Sequence, residues 1–106
     1  MEEYLWHNHR WPEGVRKEID IPQEPLYAML DRSADNNPNL PYTVYDGQSW
    51  TFSEVRDDAN RIANFLEKQG IKKGDRVAIF LPNLPHYPSV FFGCLKAGAT
   101  TVTCNP

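Results

Sequence analysis

Gly70 to Asn83 reads GIKKGDRVAIFLPN, and the way this stretch folds decides the rest of the chain. Gly70 can adopt the left-handed conformation that ends a helix. Lys72, Lys73, Gly74 and Asp75 make a polar turn. Val77 to Leu81 is an unbroken apolar run, which leaves neither face for water. Such a run suits a strand of a parallel sheet covered on both sides. Pro82 has no N–H to give to a ladder, so pairing is expected to stop there. Downstream, Asn83 is a candidate helix cap. Pro85 and Pro88 are tolerated only near a helix start, so the next helix begins late. Val90, Phe91, Phe92, Cys94 and Leu95 make that helix apolar nearly all round. Gly98 ends it, and Thr100 to Cys104 is β-branched and strand-like. Strand, helix and strand in this order make a parallel βαβ unit. The fold class is therefore α/β.

Upstream of Gly70 lies the best-signed helix start in the chain. Thr51 and Glu54 form the T-x-x-E capping box, with Trp50 and Val55 placed to close a hydrophobic staple. Val55, Ala59, Ile62, Ala63 and Leu66 make one apolar stripe. Asp57 and Arg61 stand four apart on the wet side. Asp46-Gly47 between Tyr42–Tyr45 and Gln48–Phe52 signals a β-hairpin. Before it, Pro25 is expected to open a helix with Leu26, Met29, Leu30 and Ser33 at helical spacing. Asp35, Asn36, Asn37 and Pro38 end it. Residues 1–24 have no period. They read as an extended aromatic arm, with Trp6 and Trp11 as packing anchors, ahead of an α/β unit over residues 25–106.

Length and charge narrow the function. One hundred and six residues make one domain or a piece of one. A net charge of −3 excludes the basic footprint of a nucleic-acid binder. No apolar run approaches the ~18 residues of a membrane span. The acidic start MEEY lacks the apolar core of a signal peptide. Cys94 and Cys104 do not make a disulfide framework, so both are read as reduced thiols in a cytoplasmic protein.

Chemistry-bearing residues are few. Gly93-Cys-Leu-Lys-Ala-Gly98 has half the spacing of a phosphate loop. Ala99 and Thr100 follow where Lys and Ser or Thr belong, and the segment precedes a strand where a phosphate loop follows one. Close helix packing at Gly93 and a cap at Gly98 account for it. His7 and His9 lack a carboxylate or cysteine set with ligand spacing. His86 has no nucleophile or orienting partner. Lys72, Lys73 and Arg76 read as a solvated turn. Asp57 and Asp58 sit beside Arg56 and Arg61, not as an acid–base pair. Cys104 is reactive only if exposed, and its strand setting argues for burial. No catalytic, cofactor-binding or metal-binding residue is assigned.

Four stretches, taken in order, resemble AMP-forming acyl-CoA synthetases of the adenylate-forming superfamily. Trp11-Pro12-Glu13-Gly14-Val15 is similar to the arm motif of long- and medium-chain fatty acyl-CoA ligases. Trp50-Thr51-Phe52-Ser53-Glu54-Val55 resembles the first core motif. Gly70–Asn83 resembles the next, and Leu95-Lys96-Ala97-Gly98-Ala99 with Asn105-Pro106 resembles the second core motif. The resemblance implies a partial N-terminal subdomain, with a β-hairpin, a parallel βαβ unit and helices packed on the sheet. It implies ATP, Mg²⁺ and coenzyme A in the full-length enzyme, which joins a fatty acid to the coenzyme through an acyl-adenylate. The phosphate loop, the ribose-binding Asp and the catalytic Lys of that family have no counterpart here, so the chain is expected to be inactive scaffold. Its expected partner is the remainder of the parent enzyme. An isolated chain is also expected to self-associate, through an exposed strand edge or an exchanged Trp6–Trp11 arm. A stand-alone interaction module, or the same part of an aryl- or short-chain ligase, are the alternatives.

Overall fold

A computed structural model describes residues 11–106. Tyr4, Trp6, His7 and His9 therefore lie outside the described residues. Residues 11–24 form no helix or strand; there the Trp11 indole N–H donates to the Val15 carbonyl at 2.9 Å. Seven elements follow: α1 (Tyr27–Asn36), β1 (Pro41–Tyr45), β2 (Gln48–Thr51), α2 (Phe52–Lys68), β3 (Arg76–Phe80), α3 (His86–Lys96) and β4 (Thr100–Cys104). Strands β1 and β2 pair antiparallel; β3 and β4 pair parallel.

The hairpin closes through Asp46 and Gly47, at φ 48° and 76°. Two successive positive φ angles belong to the turn whose twist matches paired strands. The hairpin leads directly into α2. Its capping box is complete: the Glu54 N–H donates to Thr51 Oγ1 at 3.1 Å, and the Thr51 N–H donates to Glu54 Oε2 at 2.9 Å. Trp50 and Val55 join one apolar cluster with Leu30, Ala59 and Phe92.

Helices α2 and α3 end alike. The Ile71 N–H reaches the Leu66 carbonyl at 3.1 Å and the Gly70 N–H reaches Glu67 at 3.0 Å. The Ala99 N–H reaches Cys94 and the Gly98 N–H reaches Leu95, both at 3.0 Å. Both are Schellman caps, with Gly70 at φ 88° and Gly98 at φ 81°. Each cap turns the chain towards a strand. Midway along α3, Gly93 sets the distance to α2. A Cβ built there would stand 2.7 Å from Ile62 Cγ2 and 3.0 Å from the Ala59 carbonyl oxygen. Only a hydrogen fits, so the two helices pack backbone to side chain. The Gly93 and Gly98 readings hold as packing and cap.

Several local expectations are corrected. Helix α1 starts at Tyr27, not Pro25, whose carbonyl accepts from the Ala28 N–H at 3.0 Å. Its buried positions are Leu30 and Ala34, while Leu26 and Met29 are each 51% exposed. The helix is rolled so that Tyr27 and Leu30, three apart, meet α2 and α3. Asn83 caps nothing: α3 begins at His86, with Pro85 at the cap position and no side-chain cap. Arg61 pairs with Asp58 at 3.0 Å rather than with Asp57.

The largest correction concerns β3. Val77 and Ile79 face α3 and join a cluster with Cys94, Ala99, Leu66 and Val90. Arg76, Ala78 and Phe80 point the other way and are exposed. Among the described residues, the parallel pair is covered on one face only.

Candidate functional site

Ligands of open parallel sheets bind outside the carboxyl ends of the strands. Here that end of β3 and β4 opens into a cleft of about 340 Å³, lined by Leu81, Asn83, Tyr87, Thr103, Cys104 and Asn105. Register builds it. Phe80 pairs with Cys104 and Ile79 with Thr103, so both strands stop at the same level. Pro82 ends β3, which leaves Asn83 beyond the ladder; Tyr87 enters from the first turn of α3. The lining offers two carboxamides, a phenol, a hydroxyl and a thiol, and no charged side chain. Such a wall orients and hydrogen-bonds a ligand. Cys104 is half-buried, against the expectation of burial, with Sγ 3.8 Å from the Val102 carbonyl oxygen. Cys94 is fully buried under α2 and the sheet, and burial pushes its thiol up, away from the reactive thiolate.

A second cleft, of about 480 Å³, lies where α2 and α3 end, between Glu67, Gly70, Ile71, Lys72, Lys73, Lys96 and Ala97. Two lysines of the sequence's basic cluster line it; Arg76 departs with β3. The carbonyl ends of two helices meet the lysines there, so the cleft lacks the positive field of an anion site. Its third lysine is committed elsewhere. Lys96 Nζ lies 2.6 Å from Asp31 Oδ1 and 2.7 Å from Asn60 Oδ1, and 5.9 Å from the Tyr27 ring centre. With its side chain 11% exposed, Lys96 ties α1, α2 and α3 together. Sequence reading missed this clamp, because its partners lie 65 and 36 residues away.

The Gly70–Asn83 and Leu95–Ala99 motifs meet beside this cleft. The Gly74 N–H donates to the Gly98 carbonyl at 3.0 Å, and the Thr100 N–H donates to Asp75 at 2.7 Å. Asp75 Oδ2 also accepts the Lys72 N–H at 2.7 Å, closing the turn. A Cβ at Gly98 would meet Lys73 Cα at 3.3 Å. The Lys-Lys-Gly-Asp turn and the Lys-Ala-Gly cap are thus one joint, which sets β4 against β3.

The other candidates stay apart. His86 is exposed at the start of α3, and Asp57 is exposed on α2. Arg56 reaches across to Asp35 of α1 at 2.6 Å. Among the described residues, no three His, Cys, Asp or Glu side chains gather as a metal site.

The sequence profile of the family described as "AMP-binding enzyme" matches residues 30–106. The chain belongs to that family. It is 35% identical over 96 residues to a long-chain-fatty-acid–CoA ligase of Bacillus subtilis, covering 91% of this chain and 17% of that one. It is 36% identical over 104 residues to the enzyme of the same name from Escherichia coli O6:H1, covering 96% and 18%. The solved Mycobacterium tuberculosis fatty acyl CoA synthetase superposes with a TM-score of 0.69 at 36% identity, over 74% of this chain and 16% of that one. This AMP-binding family member thus spans about a fifth of the length of the curated relatives it matches. In the family member Gly93 and Gly98 are a packing contact and a cap, and among the described residues no carboxylate cluster stands near either cleft. No helix of the described residues is long and apolar enough to cross a membrane.

Proposed function

We propose that this chain is the scaffold portion of a cytoplasmic fatty-acid–CoA ligase, with residues 1–24 as its arm and 25–106 as the first part of its α/β subdomain. The observation that carries this is the alignment: identity near 35% runs through nearly all of the chain and only 17–18% of the ligases. In the whole enzyme, ATP with Mg²⁺ converts a fatty acid into an acyl-adenylate, and coenzyme A takes the acyl group as a thioester. The residues here hold strands and helices in place, and the donors for nucleotide and metal come from the remainder. The strand-end cleft at Asn83, Tyr87 and Asn105 gives this part a hydrogen-bonding wall towards that remainder.

The test is an assay of pyrophosphate release with ATP, Mg²⁺, palmitate and coenzyme A. The 106-residue chain is expected to stay at background. A chimera carrying this chain in place of the matching segment of the Bacillus subtilis ligase is expected to form the thioester. Turnover by the chain alone that scales with purified protein overturns the scaffold reading.

A further inference from the structure

We infer that α1 is a hinged latch: with its carboxyl end fixed to the start of α2, it swings off the α2–α3 pair together with the arm, and the Lys96 charge controls how often it does so. The device belongs to this chain whether or not the ligase reading holds.

The hinge is built from backbone. Helix α1 ends at Asn36, and the Asn37 N–H closes it by donating to the Ser33 carbonyl at 2.8 Å. Just beyond, the Pro38 and Leu40 carbonyls accept from the Ser53 and Phe52 N–H groups at 3.2 and 3.0 Å. Those donors sit in the first turn of α2, where a helix offers them no partner of its own. The junction is therefore fixed, and Asn37, at φ −139° and ψ 62°, stands between it and the helix.

The other end has no such tie. Among the described residues, no backbone hydrogen bond joins residues 11–36 to α2, α3 or either sheet. Side chains hold α1 instead. Leu30 fills the cluster of Val55, Ala59 and Phe92, with Tyr27 packed beside it. Lys96 Nζ donates to Asp31 at 2.6 Å and to Asn60 at 2.7 Å, and stands 5.9 Å from the Tyr27 ring centre. One cation thus makes three contacts, two of them to the amino half of α1. Taking away its charge leaves Asp31 without a counter-ion, and an unpaired, partly buried charge is costly. The Arg56–Asp35 pair lies beside the hinge, and Asp35 is 71% exposed, so water weakens it. Arg32 holds Glu24 at 2.7 and 3.1 Å, so the end of the arm travels with α1.

A released α1 does not persist as a helix. It has ten residues, no side-chain cap at its start and no acidic residue in its first turn. Isolated helices shorter than ~12–15 residues are marginal in water. Release is therefore an order-to-disorder step, and it uncovers the groove that Leu30 fills.

Native-state amide hydrogen exchange on the 106-residue chain tests this, with Lys96→Gln and Arg56→Gln as variants. In the parent, amides of residues 30–33 are expected to exchange at least about tenfold faster than those of residues 59–62 in α2. Their exchange should also depend less steeply on added urea, because the swing of one helix exposes less surface than global unfolding. Lys96→Gln is expected to speed residues 30–33 by a further factor of about ten or more while keeping that shallow urea dependence. Arg56→Gln is expected to change them by less than about threefold. Equal rates and equal urea slopes for α1 and α2 in the parent overturn the inference, because α1 then opens only with the whole domain. An unchanged α1 in Lys96→Gln overturns it too, since Leu30 and Tyr27 then hold the helix without the charge. Equal effects of the two variants mean that α1 is docked evenly along its length and has no latch end. A Lys96→Gln chain that does not fold makes Lys96 part of the core, and the latch reading falls.

Discussion

The hairpin and the parallel pair each have two strands, and they meet water differently. An antiparallel hairpin tolerates one wet face. Here Tyr42 and Trp50 turn to the core formed with Leu30, Val55 and Phe92, and Tyr42 meets Phe52 edge-on with ring centres 4.9 Å apart. Val44 and Tyr45 stay outside at no structural cost. The parallel pair places Phe80 and Val102 in solvent, with nothing opposite them among the described residues. The difference shows that strand type, more than strand composition, marks where a surface is complete.

The harshest way to break the comparison is at the joint that both sheets share. Helices α2 and α3 carry the hairpin's core on one side and the parallel pair's core on the other, and Gly93 sets their separation. Gly93→Val is expected to destabilise the chain by about 3 kcal/mol, because its side chain collides with Ile62 and the Ala59 backbone. The urea midpoint measures this. An unchanged midpoint means that the helices have room to part, and the two cores are not coupled through this contact.

A milder change sharpens the hairpin side alone. Thr51→Ala removes the acceptor for the Glu54 N–H and is expected to cost about 1 kcal/mol, again read from the urea midpoint. Amide exchange should rise in the first turn of α2 and stay unchanged in β3. Equal rises in both would mean that the two regions unfold as one unit.

The smallest effect on stability is expected on the parallel side. Phe80→Ser alters an exposed residue and should move the midpoint by less than about 0.5 kcal/mol. Its effect on association should be larger. Sedimentation velocity over rising concentration is expected to show the parent chain self-associating through the open face, and Phe80→Ser reducing it. A strictly monomeric parent up to roughly 100 μM would mean that the open face is not adhesive in isolation.

Residues whose partners are near in sequence were legible. The capping box, the Asp46-Gly47 turn and the glycines at 70 and 98 each depend on groups within a few residues, and each formed as read. Cap positions beside prolines were less so. Pro25 and Asn83 carry signals for a helix start, yet α1 and α3 begin further on, because a turn can use a proline without becoming helical. The strand-end cleft was not read as a site. Its six lining residues are ordinary one by one and become a set only where β3 and β4 end at the same level. Its one sequence signal was the pair of strand exits, at Pro82 and at Asn105-Pro106.

By itself the sequence determined the order of elements, the parallel pairing of the apolar run with Thr100–Cys104, and the kinship carried by four short motifs in order. These follow from periodicity, turn chemistry and local hydrogen bonds, which act over a few residues. Only the tertiary structure decided which face of β3 is wet, which way α1 is rolled, and that Lys96 closes on Asp31 and Asn60. Those outcomes depend on which distant segments are present to cover a surface or meet a charge. An apolar run shows that burial is wanted on both faces of β3; it does not say which segment supplies the cover.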